Sequence, residues 1–243
     1  MGSKARIAKE ILPIILKDRK EDQWYVEPFA GGMNTISEVL GNRIANDNNK
    51  YLIEMWKGLL LNTERPSKID KEFYDKVRCE YKNKSNKIYS DFLIGWVGFM
   101  ASANGRFFDG GYSGLTITKD NNIRDYISES IKNIEKQIPK LKGVNFYNFN
   151  YLDLKIPKNS IIYCDKPYFG VKQYSTSKNF NHNEFWLWCK KMKNEGHSIF
   201  ISEYEAPKEF ICIWEKVVNS SLSANGLIGG NKKSVEKLFI LEN

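Results

Sequence analysis

The feature that most constrains this chain is the stretch 161–170, where an apolar run leads into Asp-Lys-Pro-Tyr and a glycine follows shortly after. The run predicts a short buried strand. Pro167 has no amide hydrogen, so the strand should end before it, and Lys166 should be extended. A carboxylate, a rigid corner and an aromatic ring then stand together at the carboxyl end of a strand, where open α/β sheets bind ligands. An ordinary turn, with Asp165 as turn former and Tyr168 as packing, explains the same residues.

A second pattern near the N-terminus predicts a strand at 24–26, a glycine turn at Gly31 and Gly32, and a helix at 36–40. Glycines let a ligand approach the backbone N–H groups at a helix start, although a glycine pair is also typical of a tight turn. Asp47 ends the next predicted strand, slightly short of the roughly 20 residues at which dinucleotide folds place a ribose-binding carboxylate. A helix N-cap is the alternative role of Asp47.

Strand and helix patterns alternate on both sides of a region, 56–143, in which Lys and Asn are dense and the alternation is interrupted. The flanks, 1–55 and 144–243, are therefore predicted to build one doubly wound α/β sheet, with 56–143 as an inserted, mainly helical subdomain. The elements expected from position 101 onwards are a loop at 101–114, helices at 123–138 and 183–194, strands at 144–149, 161–163, 197–202 and 211–215, and an edge strand at 235–241.

Composition narrows the functional classes. A chain of 243 residues suits one large domain or one domain with an insertion. The net charge of +8 favours a polyanionic partner, nucleic acid first, although solubility alone also explains it. The four scattered cysteines and two histidines do not form a zinc-binding pattern and fit free thiols in a reducing cytoplasm. We found neither a signal peptide nor an apolar run near the ~20 residues of a membrane span.

Taken in order, these motifs resemble those of the Dam-like adenine-N6 DNA methyltransferases of bacteria and phages. Residues 27–32, Glu-Pro-Phe-Ala-Gly-Gly, are similar to the family's Phe-x-Gly-x-Gly-like turn, and 165–168 are similar to its Asp-Pro-Pro-Tyr motif. The resemblance extends to the start, 1–4, to Asn46-Asp47 and to 199–204, and the insertion lies where the family keeps its target-recognition domain. It implies a Rossmann-like sheet, S-adenosylmethionine as cofactor, double-stranded DNA as substrate, no metal, and a cognate restriction endonuclease as a candidate partner.

The resemblance assigns the chemistry to Asp165, Lys166, Pro167 and Tyr168. Adenine N6 is a poor nucleophile because its lone pair is delocalised into the ring. Asp165 and the main-chain carbonyl of Lys166 are expected to accept the N6–H groups, while Tyr168 stacks on the flipped-out base. In-line placement beside the methyl donor then supplies much of the catalysis. The implied cofactor-binding residues are Lys4, Glu27, Phe29, Ala30, Gly31, Gly32, Asp47, Asn150 and Asp165, with Asp47 at the ribose, Lys4 near the methionine end and Asn150 near the adenine.

Two positions depart from the family pattern. Asn150 stands where relatives often carry Asp. Lys166 replaces the first proline of the motif, which removes a fixed φ and is expected to lower the pKa of Asp165 or pair with it. A weakened or inactive methyltransferase-fold protein that binds DNA is therefore the alternative function. Replacement of Lys166 by proline is expected to keep or raise methyl transfer.

The insertion is expected to carry target specificity through Asn104, Arg106 and Tyr112, which would read a base edge or wedge beside a flipped base. Packing in the core is the alternative for Phe107, Phe108 and Tyr112. Methylation of RNA or of a free amine by the same fold is a third reading, and the long insertion argues against a small substrate. A nicotinamide-dependent oxidoreductase is the generic alternative for a glycine turn plus an acid, and Asp-Lys-Pro-Tyr argues against it.

Overall fold

A mainly parallel sheet with helices on both faces forms the body of the protein. The computed structural model describes residues 4–83, 88–117, 121–169, 180–219 and 233–241. The helices are α1 (Ala5–Ile15), α2 (Lys50–Leu60), α3 (Lys71–Asn83), α4 (Asp91–Met100), α5 (Tyr126–Gln137) and α6 (His182–Asn194). The strands are β1 (Tyr25–Glu27), β2 (Arg43–Asn46), β3 (Leu115–Ile117), β4 (Ile123–Asp125), β5 (Val144–Tyr147), β6 (Ile161–Cys164), β7 (Ser198–Glu203), β8 (Phe210–Asn219) and β9 (Lys233–Leu241).

Seven strands form the sheet in the order β5-β2-β1-β6-β7-β9-β8, and β3 pairs with β4 in a separate hairpin. Strand β1 pairs in parallel with both β2 and β6, with Tyr25 opposite Arg43 on one side and Ile161 on the other. Strand β9 is antiparallel to both its neighbours. The strand order reverses between β1 and β6, and in such sheets ligands bind at this switch point. The doubly wound α/β sheet predicted from the sequence is confirmed.

Alternating side chains of the central strands enter two separate cores. Tyr25 and Tyr163 point into the larger core, with residues of α1 to α5, whereas Val26 and Ile162 point into a smaller core with α6. This alternation is the period of two expected of a strand. All residues of β1, β2 and β6 are buried, and burial on both faces explains why β6 reads as a continuous apolar run.

Helices α3, α4 and α5 and the β3–β4 hairpin belong to the region 56–143. Helix α4 packs closely against α2, because a β-carbon on Gly95 would lie 2.1 Å from the Tyr51 carbonyl oxygen. The insertion residues and the sheet share the larger core. The predicted boundary at 55/56 falls within α2.

Several predicted elements differ from the structure. The helix expected at 36–40 is a single 3-10 turn, Ile36–Glu38. The helix expected from 123 begins only at Tyr126, because Asp125 Oδ1 accepts the N–H groups of Ile127 and Ser128 and caps it. The predicted edge strand β9 is internal, and β8 is the edge among the described strands and is longer than 211–215.

Among the described ranges, we find no helix whose length and apolar character would let it cross a bilayer. All four cysteines are free thiols, with Cys164 and Cys189 buried and Cys79 and Cys212 exposed.

Candidate active site

The carboxyl ends of four neighbouring parallel strands carry most of the residues singled out by the sequence. Strand β2 is followed by Asp47, β1 by the glycine turn and β6 by Asp165, while Glu203 is the last residue of β7. Because these strands are adjacent and parallel, their carboxyl ends meet at one edge of the sheet. Asp165 and Tyr168 thus lie on the same side of the molecule as Gly31 and Asp47.

The glycine turn is fixed by backbone and amide hydrogen bonds. The buried amide of Asn46 donates to the carbonyl oxygens of Pro28 and Phe149, each at 3.0 Å, and so ties together the loops after β1 and β5. Gly31 has a φ of +49°, which favours glycine, and its N–H donates to Asp47 Oδ2 at 3.1 Å. A β-carbon at Gly31 would have no atom within 4 Å among the described residues beyond its chain neighbours. The turn therefore borders open space.

Asp47 connects this turn to α2. Its Oδ1 accepts the N–H of Asn49 at 2.9 Å, while Asn49 itself caps α2 by accepting from Tyr51 N at 3.1 Å. The alternative assignment of Asp47 as the helix N-cap is therefore wrong. Burial raises the pKa of Asp47, and the N–H groups of Asn49 and Gly31 only partly oppose it. A carboxylate offers about four acceptor positions, so two hydrogen bonds leave capacity for ligand hydroxyls.

Lys4 lies at the centre of a charged cluster with Asp165, Tyr168 and Glu236. Its side chain is buried, and Nζ lies 2.5 Å from Glu236 Oε2 and 3.4 Å from Asp165 Oδ1. Nζ also donates to the Tyr168 hydroxyl and stands 4.5 Å from the centre of the Tyr168 ring. Burial acts to lower the pKa of Lys4, but the two carboxylates outweigh it and the pKa is raised. Lys4 is thus held as an ammonium.

The environment of Asp165 differs from the one expected. Burial raises the pKa of Asp165, Lys4 opposes this shift, and Glu236 adds to it. The ammonium of Lys166 forms an ion pair with Glu203 instead of Asp165. The expectations that Lys166 pairs with Asp165 or lowers its pKa are therefore wrong, because the lysine side chain turns towards the end of β7 and Lys4 takes that place.

The ring of Tyr168 is held from two directions. Its hydroxyl donates to Glu236 Oε2 at 2.9 Å, and the Tyr204 ring meets it edge-on with the ring centres 4.7 Å apart. Burial, with smaller contributions from Asp165 and Glu236, holds the pKa of Tyr168 well above its ordinary value. Tyr168 is consequently a neutral phenol with a fixed ring plane.

The other residues predicted to bind the cofactor surround the glycine turn. Phe29 is half-buried, with its ring centre 5.1 Å from that of Tyr151. Glu27 is buried beneath the turn, where its Oε1 accepts from the Tyr25 hydroxyl at 2.9 Å, and burial holds its pKa well above the usual range. Ala30 is buried, and the Gly32 carbonyl accepts from Gln137 Nε2. Asn150 is exposed and caps the 3-10 turn Tyr151–Asp153 by accepting from Leu152 N.

The loop 101–114 of the insertion lies beside the start of α2. Phe107 and Phe108 are buried, in agreement with the packing alternative, and Phe107 stacks on Tyr51 with 5.5 Å between ring centres. The Tyr112 hydroxyl donates to the Ile69 carbonyl at 2.8 Å, so this side chain also packs in part. Asn104 is exposed and Arg106 partly exposed. Because α2 follows Asp47, the loop approaches the same edge of the sheet as the charged cluster.

Three residues beside Asp165, Lys4 and Tyr168 were not among the predicted site residues: Glu203, Tyr204 and Glu236. Glu203 and Tyr204 stand at the end of a predicted strand, and their position beside Asp165 follows from the pairing of β6 with β7. Glu236 lies in β9, which the sequence placed at the edge, and only its pairing next to β7 brings it near Lys4. In the parts of the chain that are described, we find no group of three His, Cys, Asp or Glu side chains arranged for a metal.

Comparison with known families agrees with this geometry. The family described as D12 class N6 adenine-specific DNA methyltransferase matches residues 1–209. No curated protein matches the chain. The family match includes the glycine turn, Asp47 and the motif that follows β6, and it spans most of the 243 residues. The chain therefore belongs to the D12 class of N6 adenine-specific DNA methyltransferases, which use S-adenosyl-L-methionine.

Proposed function

We propose that this methyltransferase acts in the cytoplasm on an adenine swung out of double-stranded DNA, and that the cluster at the carboxyl ends of β1, β2 and β6 is its active site. The single observation that supports this most strongly is the shared edge of the sheet. Asp165 and Tyr168, both in contact with Lys4, follow β6, and the glycine turn with the open space over Gly31 follows β1, the strand that pairs directly with β6.

The donor set at this edge suits the cofactor. Asp47 has spare acceptor capacity for ribose hydroxyls, Phe29 offers an aromatic surface, and the open space over Gly31 admits a ligand close to the backbone. Lys4 is an ammonium suited to a carboxylate. When bound, S-adenosylmethionine supplies an electrophilic methyl group on a sulfonium. The proposed cofactor-binding residues are those named from the sequence. Glu27 is one of them and lies buried beneath the glycine turn.

Asp165 and the Lys166 carbonyl hold the N6 amino group in this mechanism. Each accepts one N6–H, which favours the geometry that frees the nitrogen lone pair for attack. The ionised form of Asp165 is the stronger acceptor, and Lys4 favours that form although burial raises the pKa of Asp165. The raised pKa also suits Asp165 to take the proton that N6 loses after methylation.

Tyr168 supports the extruded base by stacking. The Lys4 ammonium lies at the hydroxyl end of the Tyr168 ring, 4.5 Å from the ring centre, so we assign the base to a face of the ring. The ring plane is fixed by Glu236 and Tyr204, which makes stacking possible without a further loss of side-chain freedom.

Region 56–143 is the proposed target-recognition unit, with Asn104, Arg106 and Tyr112 as its readers. The position of loop 101–114 beside α2 and the net charge of +8 support this assignment. A cognate restriction endonuclease is included as a candidate partner. Lys166 pairs with Glu203, and Asp165 pairs with Lys4. This arrangement favours an active enzyme over a weakened DNA-binding protein.

The test is transfer of labelled methyl to unmethylated double-stranded DNA, with single-stranded DNA and RNA in parallel, followed by nucleoside analysis. We expect N6-methyladenine at a defined site in the duplex. Label appearing chiefly in RNA, or no product from duplex DNA of broad sequence content, would overturn the proposal.

Long-read mapping of methylated sites with the Arg106→Ala variant tests whether Arg106 recognises the target sequence. Unchanged site preference in the folded variant removes Arg106 from that role.

A further inference from the structure

The side chain of Lys166 is a buried cation that is surrounded by an acidic residue, a histidine and three aromatic rings. The residue is 2% exposed, and its ammonium forms an ion pair with Glu203, whose side chain is 1% exposed. His182 Nδ1 lies 3.3 Å from the same ammonium. Three aromatic rings surround it with their centres 5.3–5.8 Å away, an arrangement that attracts a desolvated cation. The three rings are those of Phe180, Phe185 and Trp186.

Glu203 binds both ends of the turn that carries Tyr168. The oxygen that pairs with Lys166, Oε2, also accepts the N–H of Phe169 at 3.2 Å. Its other oxygen accepts the N–H of Tyr204 at 2.8 Å, and Tyr204 is the residue whose ring meets Tyr168. One carboxylate therefore fixes the residues on both sides of Pro167-Tyr168 and the ring that packs against Tyr168.

A buried ion pair is weak evidence for stability, because desolvation of two charges offsets much of their attraction. Geometry is a better explanation here, since position 166 is where the related motif carries proline. A lysine leaves φ free, whereas the Lys166–Glu203 pair and the Phe169 hydrogen bond restrict the same turn from outside. The ion pair thus takes over the restraint that a proline ring would supply.

We propose that the side chains of Lys166 and Glu203 are positioning residues, which hold the Lys166 carbonyl and the Tyr168 ring where the target adenine is gripped. The inference rests on the proposed function, because it assumes that this carbonyl and this ring contact the base. It also replaces the expectation that Lys166→Pro keeps or raises activity. That single change would leave the buried carboxylate of Glu203 without its cation.

The test separates positioning from folding with paired substitutions. Lys166→Met and Glu203→Gln each leave one buried charge unpaired, and each should lower the melting temperature by about 10 °C. The double variant Lys166→Met/Glu203→Gln removes both charges, so its melting temperature should recover towards wild type. Its kcat should stay about 10- to 100-fold low, since small misplacements of reacting groups are costly. Lys166→Pro/Glu203→Gln should recover more of that kcat than the Met double variant.

Amide hydrogen exchange gives a readout independent of activity. Phe169 N–H should exchange faster in the double variant than in wild type, because its tether to the Lys166–Glu203 pair is weakened. The exposed ion pair Lys190–Glu209 serves as the matched control, and Lys190→Met/Glu209→Gln should change neither exchange at Phe169 nor kcat.

A Met double variant with wild-type kcat and wild-type exchange at Phe169 would overturn the proposal and leave the pair a structural element. If the wild type transferred no methyl to DNA adenine, the proposed function would fail. Exchange at Phe169 would then still report whether the pair fixes the turn.

Discussion

At the scale of single residues, Asp165 carries the proposed chemistry most directly. Replacing it with Asn keeps the size but removes the charge and puts an N–H donor where an N6–H must be accepted. We expect Asp165→Asn to lower kcat by about 100-fold or more. Single-turnover methyl transfer, with cofactor affinity measured separately, checks this. Replacement of the exposed Asp153 by Asn is the control. A rate for Asp165→Asn within about threefold of wild type contradicts the assignment of Asp165 as the acceptor.

Tyr168 allows the ring and the hydroxyl to be tested separately. Stacking of a base on an aromatic side chain is worth about 1–3 kcal/mol. Tyr168→Ala should therefore lower kcat/KM for DNA by about 5- to 150-fold. Tyr168→Phe keeps the ring and loses only the hydrogen bonds of the hydroxyl with Glu236 and Lys4, so its loss of kcat/KM should be much smaller. Equal losses in the two variants would remove stacking from the mechanism.

Glu27 should give the protein a measurable pH dependence of stability. Burial holds the pKa of its carboxyl well above the ordinary 4.5 in the folded protein. As pH rises above that ordinary value, the unfolded chain releases this proton first, so the folded state loses relative stability until the folded pKa is passed. Glu27→Gln removes the effect. The free energy of unfolding of wild type should therefore fall relative to Glu27→Gln between pH 4.5 and 8, and a constant difference would refute it.

At the scale of elements, the contact of α2 with α4 couples the insertion to the sheet. Helix α2 begins just after Asp47, and α4 approaches it through Gly95. Alanine at 95 would gain up to about 1 kcal/mol in helix propensity. Its β-carbon, however, would lie 2.1 Å from the Tyr51 carbonyl oxygen, a backbone atom that cannot move cheaply. We expect Gly95→Ala to destabilise by about 2 kcal/mol or more, measured by denaturant unfolding.

Replacement of the exposed Asn133 on α5 by Ala is the control for Gly95→Ala, because it also gains helix propensity, up to about 0.7 kcal/mol, without the contact. It should be neutral or slightly stabilising. If the two alanines behaved alike, the close approach of α2 and α4 would not be a feature of the protein in solution.

The elements that the sequence predicted well are those whose signal is local. The short apolar stretches within β1 and β2 and the apolar run of β6 needed no partner to be recognised, and all three strands are buried on both faces. The 36–40 pattern failed because its apolar spacing fits one turn as well as a helix. The position of β9 failed because alternation along a strand does not tell which strands lie beside it, and pairing with β7 and β8 is long-range.

At the scale of the whole molecule, residues from the N-terminal and C-terminal parts of the chain meet at the proposed active site. Lys4 and Glu236 are 232 residues apart in sequence and 2.5 Å apart in space. The motifs around Asp165 and Gly31 were predictable because each is contiguous. The partners of Lys4 and Lys166 were not predictable, since they depend on the order in which β7 and β9 follow β6 across the sheet. The family match ends at 209, so Glu236 lies beyond the matched part of the chain.

Glu236→Gln tests whether the C-terminal hairpin takes part in catalysis. The carboxylate of Glu236 accepts from both the Lys4 ammonium and the Tyr168 hydroxyl, and a charge-assisted hydrogen bond is worth about 1.5–3 kcal/mol. We expect kcat/KM in the methyl-transfer assay to fall by about 10- to 100-fold, because Lys4 and the Tyr168 ring lose a shared anchor. The exposed Glu215→Gln on β8 removes a carboxylate from the same hairpin without touching the cluster, and its kcat/KM should match wild type. Equal activity of the two glutamine variants would show that strand β9 supports the sheet only, and that Lys4 holds Asp165 without help from the C-terminal end.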